Sequence, residues 1–177
     1  GEQSLISPFL ATGVIAAILA MVASTWITKR YCKVQLFRWT QLLVGVLSAA
    51  MFFLVGREDV VLAFVLYFLL SFVVDLHAPV FWSAIAEAVD YGQAKTGKRV
   101  AGLSFGGISF SQKTGMAIAG SFANVLLAFF HYVPNQPQTE FTLFGIALTL
   151  TVIPGLFHAI MGLLMFKYKR SEGTRLN

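Results

Sequence analysis

Five long apolar stretches separated by short polar segments make up most of the chain. They run from about Leu5 to Ile27, Leu36 to Val55, Val60 to Val89, Val100 to Phe130 and Phe141 to Tyr168. A helix needs about 20 mostly apolar residues to cross a hydrocarbon layer roughly 30 Å thick, and each stretch has that length. In lipid every backbone N–H and C=O must find its partner within the protein, which a single helix achieves alone. The apolar–polar alternation of barrel strands is absent, which argues against a β-barrel. The pattern therefore predicts an all-α integral membrane protein of five transmembrane helices. Pro79 in the third stretch and Pro154-Gly155 in the fifth predict kinks, because Pro removes a backbone donor and crowds the preceding turn.

Composition sharpens this picture. Hydrophobic residues are 57% of the 177 and charged residues 12%, against about 25% charged in soluble domains. A disordered chain and an ordinary soluble enzyme are excluded. The net charge of +5 does not point to nucleic acid, because the basic residues form short clusters between apolar blocks rather than one face. A single Cys32 excludes an internal disulfide, and His77, His131 and His158 are too far apart for a metal-ligand spacing. No metal or cofactor is expected. No basic start and cleavage site precede a short apolar core, so no signal peptide is read.

The basic clusters orient the spans. Lys29, Arg30, Lys33 and Arg38 follow the first stretch, Lys95, Lys98 and Arg99 the third, and Lys167, Lys169, Arg170 and Arg175 the fifth. Eleven of the thirteen basic residues thus fall on one side, which the positive-inside rule makes cytoplasmic. The C-terminus is then inside and Gly1 outside. An odd number of spans opening on a residue other than Met predicts a piece of a larger protein: a transmembrane bundle over residues 1–170 and a polar tail over 171–177.

Ionisable residues inside spans are costly, and so are functional hypotheses. Lys113 lies about 20 Å along the fourth stretch and Asp75 about 22 Å along the third, both near mid-membrane. Each is read either as part of a substrate or coupling-ion site or as a buried pair, with a snorkelling lysine as a further reading of Lys113. Ser109 lies one turn before Lys113 on the same face, and Gln112 is adjacent. Donors converging there suit a polyhydroxylated or anionic ligand; interhelical hydrogen bonding is the alternative. Gly102, Gly106, Gly107, Gly115 and Gly120 are read as packing positions. Trp82 would stack on a sugar ring or anchor at an interface. His77 and His158 are read as satisfied packing residues rather than proton carriers.

The polar segment Asp90-Tyr91-Gly92-Gln93-Ala94-Lys95-Thr96-Gly97-Lys98-Arg99 resembles the signature of the glycoside–pentoside–hexuronide:cation symporters, the melibiose-permease type. Tyr132-Val133-Pro134-Asn135 and Pro154 match the same pattern, and the likeness runs from Leu5 to Lys169. Within that family the sequence looks most like the sulfoquinovose-importer branch. The resemblance implies a major-facilitator fold of two six-helix bundles, with these spans as helices eight to twelve. The first bundle, which carries the family's main sugar- and cation-binding carboxylates, and helix seven would lie outside the chain. Lys113 matches the family's functional lysine on helix eleven, Ser109 a hydroxyl position one turn earlier, and Trp82 the helix-ten tryptophan near the sugar, although its spacing to Asp-Tyr-Gly differs. Gln93 and Ala101 stand where the family has Glu.

The expected function is import of a sugar or glycoside, including an anionic sugar such as sulfoquinovose, by symport with Na⁺ or H⁺ in the inner (plasma) membrane. Binding at the midplane and rocking between bundles would give alternating access. Asp90, Lys95 and Arg99, with Tyr91 and Thr96 and with Gly92 and Gly97 as flexible points, are expected to close a cytoplasmic gate against the other bundle. The alternatives are an integral-membrane enzyme using Asp75, Glu87 and His77 as acid–base groups, and a non-transporting assembly subunit.

Overall fold

A computed structural model of the chain describes residues 3–56 and 58–167. The expectations placed on Gly1, Arg57, Lys169, Arg170, Arg175 and the 171–177 tail lie outside those residues. After a 3-10 turn at Gln3–Leu5, α1 covers Ile6–Arg30, α2 Lys33–Leu54, α3 Val60–Leu76, α4 Ala78–Thr96 and α5 Ala101–Phe129. Next come α6 (Glu140–Ala147), a π-helical turn (Leu148–Val152) and α7 (Ile153–Leu164). All five expected stretches are helical, and they differ in how far each satisfies a bilayer. Four runs are long and apolar enough to cross one: α1, α2, the 37-residue Val60–Thr96 and Glu140–Leu164. The 29-residue α5 has the length but not the hydropathy, because Gly, Ser, Gln and Lys interrupt its apolar residues.

Both prolines act as expected, and the structure places the breaks before them. The third stretch is interrupted at His77, two residues ahead of Pro79, which takes the first turn of α4. Pro is tolerated at that position because the first-turn N–H groups have no partner within the helix. In the last span the π-helical turn ends two residues before Pro154. Thr149 and Thr151 there donate their hydroxyls back to the carbonyls of Gly145 and Ala147, at 2.7 and 2.6 Å. Such π-insertions relieve a helix that cannot keep its regular ladder.

Packing centres on α2, which lies against α3, α4, α7 and the π-turn. The α2–α7 contact is close because small residues face each other. A Cβ placed on Gly155 would fall 2.5 Å from Ser48 Cβ, and one on Gly45 would fall 3.0 Å from Ala159 Cβ. Close backbone approach of this kind drives helix association in lipid, where apolar surface alone gives little. The glycines that bring α2 and α7 together are thus Gly45, Gly155 and Gly162. The glycines of α5 were expected to pack, but a Cβ on any of them meets nothing within 4 Å. A second small-residue face, Gly13, Ala16, Ala20 and Ser24, is buried on α1, which packs against α3. Phe9 stacks on Tyr67 there, with centroids 4.2 Å apart.

Candidate functional site

No residue of α5 is buried. The helix touches the rest of the bundle along one edge, through α4, α6 and the π-turn. On its open surface Phe105, Ser109 and Lys113 follow one another at four-residue spacing, which stacks them on one face. Gln112 flanks them, and Ser109, Gln112 and Lys113 are all exposed. Lys113 is the thirteenth of the 29 residues of α5, so it does sit near the middle of a spanning length. Trp82 of α4 lies parallel to Phe105, with ring centroids 6.3 Å apart and an interplanar angle of 12°. It is thereby joined to the stripe about two turns, or 12 Å, from Lys113. Its other ring contact is an edge-on approach to Phe81 at 5.5 Å.

Asp75 is not part of this group. It lies on α3, next to the His77 break, and forms no ion pair with Lys113. The local pairing that would have neutralised the lysine is therefore not made, because α5 leans on α4 and α6 rather than on α3. Among the described residues Lys113 has no hydrogen-bond or ion-pair partner.

The Asp90–Arg99 segment is folded onto the end of α4. Gly97 adopts φ 70°, the left-handed conformation that closes a helix C-terminus at low cost for glycine, and its N–H bonds the carbonyl of Gln93 at 2.8 Å. Thr96 donates to the Gly92 carbonyl at 2.8 Å and accepts from the Lys98 N–H at 3.3 Å. Arg99 reaches back to Gln93 Oε1 at 3.0 Å and Asp90 Oδ1 at 3.3 Å. Lys95 lies over the Tyr91 ring, 5.3 Å from its centroid. Two expectations change. Gly92 is a helical residue inside α4 rather than a flexible point, and Asp90 and Arg99 pair with each other within this chain.

Three polar residues make contacts that the sequence reading does not anticipate: Lys33 and Arg38 read there only as orienting charges, and Gln41 is not singled out. Lys33, at the start of α2, pairs with Glu87 of α4 at 2.5 Å. Arg38 donates to the Met165 carbonyl at 3.0 Å and lies over the Phe166 ring, tying α2 to the end of α7. Gln41, 2% exposed, bridges His77 and His158. An amide inside an apolar stretch was the available signal for Gln41. These contacts also remove the acid–base set considered for an enzyme, since Glu87 is held by Lys33, ten residues or about three turns from the Gln41-bound His77. The two histidines are engaged as expected, except that Nδ1 of His77 is buried without a partner.

Known proteins match this chain along nearly its whole length. It is 29% identical over 169 residues to the inner membrane symporter YicJ of Escherichia coli K12, covering 95% of this chain and 36% of that protein. It is 30% identical over 130 residues to a glucuronide carrier protein homolog of the same organism, covering 73% of this chain and 28% of that protein. The uncharacterized symporter YnaJ of Bacillus subtilis is 45% identical over 73 residues, 41% of this chain and 16% of that protein. The chain thus spans about a third of the length of the first of these relatives. Residues 1–172 match the MFS/sugar transport protein family. With four helical runs long and apolar enough to cross a membrane and a fifth helix of the same length, this chain belongs to that family of membrane transport proteins and not to a family of enzymes.

Proposed function

We propose that this chain forms helices eight to twelve, five of the six in the second bundle, of an inner-membrane importer that carries an anionic sugar or glycoside together with Na⁺ or H⁺. The observation that carries this reading is α5. A helix of membrane length that is too polar for lipid, with no residue buried, belongs against a water-filled cavity and a second bundle rather than against acyl chains. Lys113, Ser109 and Gln112 line the sugar side of that cavity, with Trp82 and Phe105 as an aromatic floor. The ammonium of Lys113 favours an acidic sugar. The name of the glucuronide carrier homolog supports a uronic acid, and the sulfonate of sulfoquinovose has the same charge. The coupling cation is held mainly by the first bundle.

The deciding measurement is uptake by membrane vesicles containing the full-length protein. Labelled glucuronide and sulfoquinovose should accumulate under an inward Na⁺ or proton gradient. Uptake of neutral glycosides with no uptake of acidic ones would overturn the substrate class.

Topology is testable separately. The basic ends at Lys29–Lys33 and Lys95–Arg99 should face the cytoplasm and the Tyr132–Gln138 turn the exterior. In a Cys32→Ser background, an impermeant thiol reagent applied outside should label Asn135→Cys and spare Thr96→Cys; the reverse pattern would invert the assignment.

The Asp90–Arg99 pair belongs to the cytoplasmic gate in this reading. Exposed pairs contribute only about 0–1 kcal/mol to stability, so Asp90→Asn should leave membrane insertion and melting unchanged. If Asp90 works in gating, the same substitution should slow transport severalfold. Wild-type rates in that variant would remove the segment from the gate.

A further inference from the structure

At a point where two broken spans meet the unbroken α2, three polar side chains form a chain with a fixed sense. Gln41 supplies its amide Nε2 to Nε2 of His77 at 3.2 Å, and its Oε1 to Nδ1 of His158. An amide nitrogen only donates and an amide oxygen only accepts. Nε2 of His77 must therefore carry a lone pair, and Nδ1 of His158 must carry a hydrogen. His77 is thus a neutral ring with its hydrogen on Nδ1, the atom that is buried and unpartnered. His158 accommodates an additional proton on its far nitrogen without disturbing the chain. His77 does not, because a hydrogen on its Nε2 would meet the amide N–H head on. A proton on His77 requires Gln41 to reverse its amide, and His158 must then present a lone pair at Nδ1. In that second arrangement the excess proton has moved from one ring to the other.

We propose that His77, Gln41 and His158 form a binding site for a single proton inside this half-bundle, shared between the His77 break and α7 and separate from the Lys113 face. Its position suits that role. Gln41 lies about 12 Å, eight residues, from the Lys33 end of α2. His77 occupies the interruption between α3 and α4, and His158 follows Pro154 by one turn. The two imidazole rings are 6.2 Å apart, so two imidazolium charges would repel each other strongly in a poorly screened interior. Phe37 closes the site with an edge-on contact to His77 at 5.3 Å. The other ionisable groups of the surrounding helices are mostly engaged elsewhere or distant. Arg38 of α2 is bound to Met165, Lys33 to Glu87 of α4, Arg99 to Asp90, and Tyr67 of α3 lies against Phe9. Lys29 and Arg30 lie in the last turn of α1, and α7 carries no ionisable group besides His158. Asp75, two residues before His77, is the nearest carboxylate along the chain and at that spacing does not share a helix face with it.

The test is a nitrogen-15 NMR titration of ring-labelled histidine in the full-length protein in lipid nanodiscs. His77→Asn and His158→Asn assign the two rings. The wild-type protein should take up one proton across the pair, with the second uptake displaced by at least about one pH unit, a tenfold change in proton concentration. In His158→Asn, His77 should titrate alone in a single step. Gln41→Leu should remove the coupling, so that both rings titrate independently. Two independent titrations in the wild-type protein, unchanged by Gln41→Leu, would overturn the proposal, as would rings that stay neutral to pH 5. If Gln41→Leu does not fold, the comparison of wild type with His158→Asn decides by itself. The readout needs no transport, so it stands apart from the substrate reading.

Discussion

Lys113→Ala should abolish coupled uptake of an acidic sugar while leaving expression and folding intact. An ammonium at the middle of a membrane-spanning helix costs about 2.5–3.5 kcal/mol on insertion scales, so it is retained only where something offsets that cost. Asp75 does not supply the offset, since it sits on α3 and forms no pair with Lys113. In the proposed importer the offset comes from a carboxylate of the first bundle together with the anionic substrate. A hydrogen bond to a charged partner contributes about 1.5–3 kcal/mol, and each 1.4 kcal/mol is tenfold in affinity. Loss of the ammonium should therefore lower uptake about ten- to a hundredfold from substrate binding alone, and further if ion coupling fails. Because Lys113 has no partner among the described residues, its removal leaves no orphaned group within this bundle. Lys113→Arg should rescue poorly, since a planar fork does not reproduce a compact ammonium. Normal accumulation by Lys113→Ala at wild-type expression would end the assignment of Lys113 to the substrate site.

Gly155→Leu should separate α2 from α7 and destabilise the bundle more than a typical surface change would. A Cβ alone would lie 2.5 Å from Ser48 Cβ and 3.0 Å from its hydroxyl oxygen, and Leu adds three further carbons. Overpacking a filled contact usually costs about 1–3 kcal/mol, and here the opposing atoms belong to a short side chain with no room to retreat. The disturbance would also reach the polar trio, because His158 follows Gly155 by less than one turn. Thermal unfolding in detergent should start at clearly lower temperature for Gly155→Leu than for the wild type. Gly106→Ala, on the open face of α5, should match the wild type or exceed it, since alanine favours a helix by roughly 1 kcal/mol over glycine. Equal melting of Gly155→Leu and the wild type would show that the α2–α7 approach contributes little.

The long apolar runs were sufficient to place all the helices, because a backbone surrounded by lipid has few choices other than to satisfy itself. The prolines marked both broken spans for the same local reason. The depth of Lys113 was equally legible, since position along a helix converts directly into distance. The identity of partners was not legible. Asp75 and Lys113 share a depth, yet depth says nothing about which helices are neighbours, and α5 turned out to lean on α4 and α6. The glycine-rich α5 read as tightly packed, whereas the close helix contact is made by Gly45 and Gly155, separated by 110 residues of sequence.

Local chemistry by itself determined that this chain is a set of membrane-spanning helices, where they bend and which side is basic. The tertiary structure decided which polar groups meet: Lys33 with Glu87, Arg38 with the end of α7, and Gln41 with two histidines 36 and 117 residues away. Helix formation depends on neighbours within a turn or two, so it is written along the chain. A hydrogen bond between helices depends on their rotation and separation, which are set by the small residues that let α2 and α7 approach and are expressed only when both helices are packed.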